Sequence, residues 1–166
     1  AKIMEPLTPA EIGQFMRRMK RYRDISIAQL LLFCGLRSSE VRGLRTGDVD
    51  FVDRRLLVRG KGMKERVIPL PAFAMESVQR YLDFERPAIA GEDRLFVILQ
   101  GRCRGLPITE AGLRSLFRYR RRTKGLTRAN PHRFRHTFGA DMARAGVRLP
   151  VLQKMMGHAV KRPVAA

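Results

Sequence analysis

The sequence predicts a mainly α-helical α+β domain in which helices pack with a small three-stranded antiparallel sheet. Three observations predict it. Capped segments with helical apolar spacing occupy both flanks of the chain. Between residues 48 and 70 the period shortens to that of strands broken by turn residues. The length, 166 residues at 45% hydrophobic content, suffices for one sizeable core but not for a second full domain.

The first helix opens at Thr8-Pro9-Ala10-Glu11, where Thr caps, Pro occupies the first turn and Glu completes a capping box. It should run to about Met19 with Ile12, Phe15, Met16 and Met19 on its apolar face. A second helix should begin near Asp24 and pass through Leu30, Leu31, Leu32 and Phe33 before Gly35 supplies a left-handed stop. It is apolar nearly all round, so it should be buried. A short third helix is expected over Ser38 to Leu44, with Glu40 in its first turn.

Asp48 to Phe51, Arg55 to Arg59 and Arg66 to Leu70 read as an antiparallel meander, and Gly60-Lys61-Gly62-Met63-Lys64 as an exposed turn carrying two lysines. Helical spacing resumes from Pro71 to Phe84, with Phe73, Val78, Tyr81 and Leu82 on one face and Pro87 beyond its end. Arg94 to Leu99 fits a short strand or a buried extended segment, followed by a basic loop to Pro107. Thr109 caps a helix whose core face is Leu113, Leu116 and Phe117 and whose end runs into the basic stretch Arg118 to Lys124. Asn130 and Pro131 start another helix that ends at Gly146, and Leu149 to Met156 forms the last one, closed by Gly157.

The charge balance narrows function. Lys and Arg number 34 against 15 Asp and Glu, a formal +19 spread along the chain, and such a surface suits a polyanion, nucleic acid first. Cys34 and Cys103 lie far apart without metal-ligand spacing, which fits two free thiols in a reducing compartment. The longest apolar run, Ile25 to Leu36, is far short of the roughly 20 residues of a membrane span.

The helix opening at Pro131 places His132, Arg135 and His136 within reach of one another at its N-terminus. Free backbone N–H groups, a guanidinium fork and an imidazole suit such a place to hold a phosphate and move a proton. A helix that merely faces DNA is the plain alternative.

Four segments occur in order: Gly35-Leu36-Arg37-Ser38-Ser39-Glu40; Gly60-Lys61-Gly62-Met63-Lys64-Glu65-Arg66 with Pro69-Leu70; His132-Arg133-Phe134-Arg135-His136-Thr137-Phe138; and Leu152-Gln153 through Met156-Gly157-His158. Lys61 follows Arg37 by 24 positions and His158 follows Arg135 by 23. Together they resemble the successive motifs of tyrosine recombinases of the phage-integrase class, and the match extends from Leu7 to His158. The resemblance implies the fold of that family's catalytic domain over residues 1–158, with the family's N-terminal core-binding domain outside this chain. It implies a site-specific recombinase that cleaves and rejoins double-stranded DNA through a 3′-phosphotyrosine, without metal or cofactor. By the same resemblance Arg37 and Arg135 grip the non-bridging oxygens of the scissile phosphate. Lys61, beside two arginines that would lower its pKa, protonates the departing 5′ oxygen. His132 accepts the nucleophile's proton, His158 hydrogen-bonds the phosphate or assists that base, and Glu40 orients the Arg37 region.

Lys64, Arg66, Arg59, Arg133, Arg120 and Arg121 are the expected DNA contacts, and a tetramer on DNA in the cytoplasm, at the nucleoid and away from any membrane, is the expected working state of the full-length protein. The family's tyrosine would fall just past Ala166. The segment from Ala159 to Ala166 contains Pro163, which would interrupt the helical approach to it, so no nucleophile is assigned within the chain. Each motif also has a plain structural reading. Arg37 can cap the preceding helix, Lys61 can be a solvated turn lysine with Lys64 as its rival, His136 can pack within its helix, and His158 can answer a helix dipole. A catalytically inactive DNA-binding or regulatory module of the same fold, and a basic RNA-binding protein, are the competing functions.

Overall fold

The computed structural model describes residues 4–121 and 126–158. Seven α-helices and one antiparallel sheet follow in the order α1 (Pro9–Arg17), α2 (Tyr22–Phe33), α3 (Ser38–Gly43), β1 (Val49–Asp50), β2 (Arg55–Arg59), β3 (Glu65–Pro69), α4 (Ala72–Phe84), α5 (Glu110–Arg121), α6 (Pro131–Arg144) and α7 (Leu149–Met155). The expected class and the three-stranded meander are both present, with strand order β1-β2-β3. Register pairs Val49 with Leu56 and Leu56 with Ile68, so the buried side chains of the three strands lie on one face.

Helix α2 is the hub. Ile27, Leu30 and Leu31 are fully buried, and the helix packs against α4 on one side and α6 on another. It begins at Tyr22 rather than Asp24 because its orphan donors are satisfied from elsewhere: the Glu85 carboxylate accepts the N–H groups of Tyr22 and Arg23, each at 2.8 Å. The Thr8 capping box forms as expected, Thr8 Oγ1 accepting from Glu11 and the Glu11 carboxylate from Thr8. Helix α1 stops at Arg17, and Met19 is buried just beyond its end. Phe15 of α1 stacks on Phe117 of α5 at 5.1 Å between centroids, and both meet the Phe134 ring of α6 edge-on. Three rings thus join the first helix to two late ones.

One expectation needs correction, and one alternative is decided. Phe73 is not on the buried face of α4, which Ala74, Ser77, Val78 and Tyr81 supply; it is 46% exposed and meets Phe33 edge-on. The run from Arg94 to Leu99 is the buried extended segment rather than a strand, held by isolated bridges at Arg94 and Val97. Its polar groups are satisfied partly by neighbouring backbone, Leu95 N–H donating to Leu44 O and Ile98 N–H to Leu106 O, and partly by side chains: Tyr81 Oη donates to Leu95 O and accepts from Val97 N, while Arg86 donates to the carbonyls of Glu92, Arg94 and Leu95. Cys34 is buried and Cys103 exposed, both free. Among the described residues no helix is long and apolar enough to cross a membrane.

Gly35 turns the chain from α2 toward α3 with φ +68°, and a Cβ there would collide with the Phe138 ring. Gly35→Ala should therefore destabilise the fold by about 2 kcal/mol or more, read as a lowered midpoint in denaturant unfolding. Burial pushes the Cys34 thiol up to about 12. In native protein, Cys103 should react quickly with a thiol reagent and Cys34 only on unfolding.

Candidate active site

The left-handed turn at Gly35 delivers Arg37 to the start of α3, where its backbone N–H donates to Glu40 Oε1 at 2.9 Å. Across from it, Asn130 Oδ1 accepts the N–H of Arg133 at 2.8 Å and Pro131 occupies the first turn, fixing where α6 begins. That start sets His132 and Arg135 facing the Arg37 segment. The third contributor is the end of α7, where Gly157, at φ +71°, turns the chain so that His158 points back to α6.

These segments enclose one cavity of about 480 Å³, walled by Arg37, His132, Arg135 and His158 together with Ser38, Ser39, Arg42 and Glu110. Four of the five expected catalytic residues therefore meet. Arg135 is 7% exposed and is the best anchored: its Nη1 donates to Gly35 O, and its Nη2 donates to Met156 O at 2.9 Å and contacts His158 Nε2 at 3.2 Å. Since guanidinium only donates, His158 Nε2 accepts, which leaves the ring proton on Nδ1. Burial, with the positive charges of Arg37 and Arg66, lowers the Arg135 pKa to about 10, so it stays charged at neutral pH. Burial, then Arg135, Arg37 and Arg66, also hold His158 below the ordinary histidine value. An anion entering the cavity would meet the Arg135 guanidinium already fixed, with those of Arg37 and Arg42 on the same wall.

Glu40 is buried with its carboxylate between Arg66, which forks onto both oxygens, and the Arg37 backbone; Arg37 Nη1 lies 3.8 Å away. Although burial alone raises its pKa, those hydrogen bonds and charges bring it below the ordinary carboxylate range.

Lys61 departs from expectation. The turn closes through Gly60 N–H to Lys64 O and passes through Gly62 in the left-handed region, leaving Lys61 and Lys64 exposed. Lys61 is not among the residues walling the cavity, so it is not seated beside the two arginines. Arg66, expected to face DNA, is instead held inside the protein by Glu40 and by Met155 O, to which its Nε donates at 2.8 Å. Arg59 pairs with buried Asp48 at 2.6 Å, and Arg133 donates to Glu5 O. The side chains of Arg120 and Arg121, and the whole of residues 159–166, lie outside the described part.

Sequence reasoning missed Ser38, Ser39, Arg42 and Glu110 on the cavity wall. The four-residue spacing of Ser38 and Arg42 on α3 was a usable signal. Glu110 carried none, because the packing of α5 on α3 puts it there. Among the described residues no cluster of His, Cys, Asp and Glu is arranged to hold a metal.

The profile of the phage integrase family matches residues 5–165. The chain is 38% identical over 141 residues to a tyrosine recombinase XerC of Staphylococcus saprophyticus subsp. saprophyticus, covering 84% of this chain and 46% of that protein. It thus spans about half the length of the curated relative it matches. Among solved structures, XerA recombinase superposes with a TM-score of 0.82 at 24% identity, over 96% of this chain and 56% of that one, a likeness of fold. The Tn1549 transposon integrase, solved in complex with circular intermediate DNA, superposes at 0.74 with 27% identity, over 96% of this chain and 60% of that one.

The depressed Glu40 pKa has a testable sign. A carboxylate held low in the folded state stabilises it above the unfolded value and loses that contribution as pH falls through the folded one. Glu40→Gln should be less stable than the parent at neutral pH, and the gap in melting temperature should close below about pH 4.5.

Proposed function

This chain belongs to the phage integrase family, and from that premise we propose that its residues 1–158 form the catalytic domain of a site-specific tyrosine recombinase acting on duplex DNA. The observation that carries the reading is the meeting of two guanidinium and two imidazole groups, from three distant segments, in one cavity. Attack on a phosphodiester builds charge on the non-bridging oxygens, and fixed cations at Arg37 and Arg135 stabilise that charge. His158, neutral and oriented by Arg135, hydrogen-bonds the same phosphate through a proton. His132 takes the proton of the attacking tyrosine as the P–O bond to tyrosine forms and the bond to the 5′ oxygen breaks.

Lys61 protonates that leaving oxygen from the exposed hairpin tip, which meets the DNA backbone from outside the cavity. Lys64 on the same tip is a backbone contact. Duplex DNA as the partner is supported by the +19 charge and by the DNA complex of the Tn1549 integrase. No tyrosine of the described residues is assigned as the nucleophile. The full-length protein would work as a tetramer on duplex DNA.

The test is covalent capture. Full-length protein, mixed with duplex DNA nicked at its recombination site, should give a denaturant-resistant protein–DNA adduct. Arg37→Ala or Arg135→Ala should slow adduct formation by about 100- to 1,000-fold, the scale of losing one transition-state donor. Binding without any adduct would instead favour the inactive module of the same fold. Preference for structured RNA, with full function in Arg135→Lys, would favour the RNA-binding alternative.

A further inference from the structure

We infer that Arg66 is a positioning residue, a strut between α3, β3 and α7 that sets where His158 stands in the cavity. The inference deepens the recombinase reading and rests on it for its catalytic meaning. Its geometry stands alone.

Three bonds define the strut. Arg66 Nη1 and Nη2 fork onto the Glu40 carboxylate, and Arg66 Nε donates to Met155 O at 2.8 Å. Its side chain is 12% exposed and that of Glu40 3%, so the pair is shielded from solvent and the fork is geometrically demanding. The next carbonyl along, Met156 O, accepts from Arg135. Two guanidinium groups from opposite sides therefore hold consecutive carbonyls at the end of α7, two residues before His158. Gly157 lies against Arg66: a Cβ there would lie 2.8 Å from Arg66 Nη1, in a backbone conformation already unfavourable to other residues.

Helix α7 has few other anchors. Its buried contacts are Leu152 and Met156 against Phe138, a small cluster separate from the main core. A seven-residue helix packed so lightly does not fix its own last turn. The polar strut supplies what apolar packing does not. It also joins the histidine to the hairpin, because Arg66 is the second residue of β3, just after the tip that carries Lys61. Glu40 links the same strut to the Arg37 backbone.

A lysine at 66 keeps the charge but cannot make the fork and the Met155 bond together. The charged and titratable groups around His158 are Arg135 and His132 from α6, Arg37 and Arg42 at α3, Glu110 at the start of α5 and Arg66 from β3, with Glu40 behind Arg66. These make the sign of a histidine titration informative. Removing the Glu40 charge should by electrostatics alone lower the His158 midpoint further, whereas releasing the end of α7 from the cationic cavity should raise it.

The experiment follows the His158 ring proton by NMR across pH in this chain, for the parent, Arg66→Lys and Glu40→Gln, and repeats it over a series of inorganic phosphate concentrations up to saturation. We expect both variants to raise the midpoint by roughly half a unit or more toward the ordinary value of about 6.5, and phosphate affinity to fall about 10-fold, on the scale of losing a residue that orients a ligand-binding group. Duplex DNA binding by Arg66→Gln, which removes the charge, should keep the parent's salt slope. Unchanged His158 titration in the better-folded variant would overturn the proposal, as would a DNA salt slope reduced by about 1, the mark of a phosphate contact. Because these readings need no strand cleavage, an adduct assay insensitive to Arg135→Ala would remove the recombinase reading without touching this one.

Discussion

A buried guanidinium cannot shed its charge at neutral pH and must donate its N–H groups to something. Arg135 meets that demand by reaching the Gly35 carbonyl, two residues past α2, and the Met156 carbonyl, one past α7. Both acceptors lie at helix C-termini, where the backbone is already electronegative. One side chain thereby fixes the relation of three helices and orients the neighbouring imidazole, and the charge needed at the cavity also ties its walls together. Removing it would leave two helix ends without their donor as well as a vacant cation site.

Much of this was legible because it is local. The Thr8 box, the Asn130-Pro131 start, the left-handed glycines at 35 and 157 and the alternation of Leu56, Val58 and Ile68 each act within a few residues, and each element formed where those signals placed it. The spacing of the four motifs carried four of the five proposed catalytic side chains to one cavity. What escaped was long-range. Glu85 caps a helix 63 residues upstream, and Arg66 reaches a carbonyl 89 residues downstream. No periodicity encodes such a bond. The exposure of Phe73 has the same origin, since α4 turns Ala74, Val78 and Tyr81 inward against α2 and leaves position 73 at its edge beside Phe33.

The charge count also needs its geometry. The cations are mostly arginines, and several are engaged inside the fold: Arg86 on three loop carbonyls, Arg94 on Gly43 O, Arg128 on Glu11, and Arg66 and Arg135 as described. Arginine suits these tasks because its planar fork serves several acceptors at once. These bonds leave the net charge of +19 as it is, but they leave fewer guanidinium groups free to contact phosphates directly, and part of the arginine content reflects architecture rather than binding.

The cavity is walled by residues near 37, near 132 and at 158, so its last wall comes from α7. During synthesis the amino-terminal elements emerge first. A ribosome-bound chain with α7 still in the exit tunnel would carry Arg37 and the hairpin but have neither His158 nor the carbonyl that secures Arg135. The cavity would then take its full shape only once α7 had emerged.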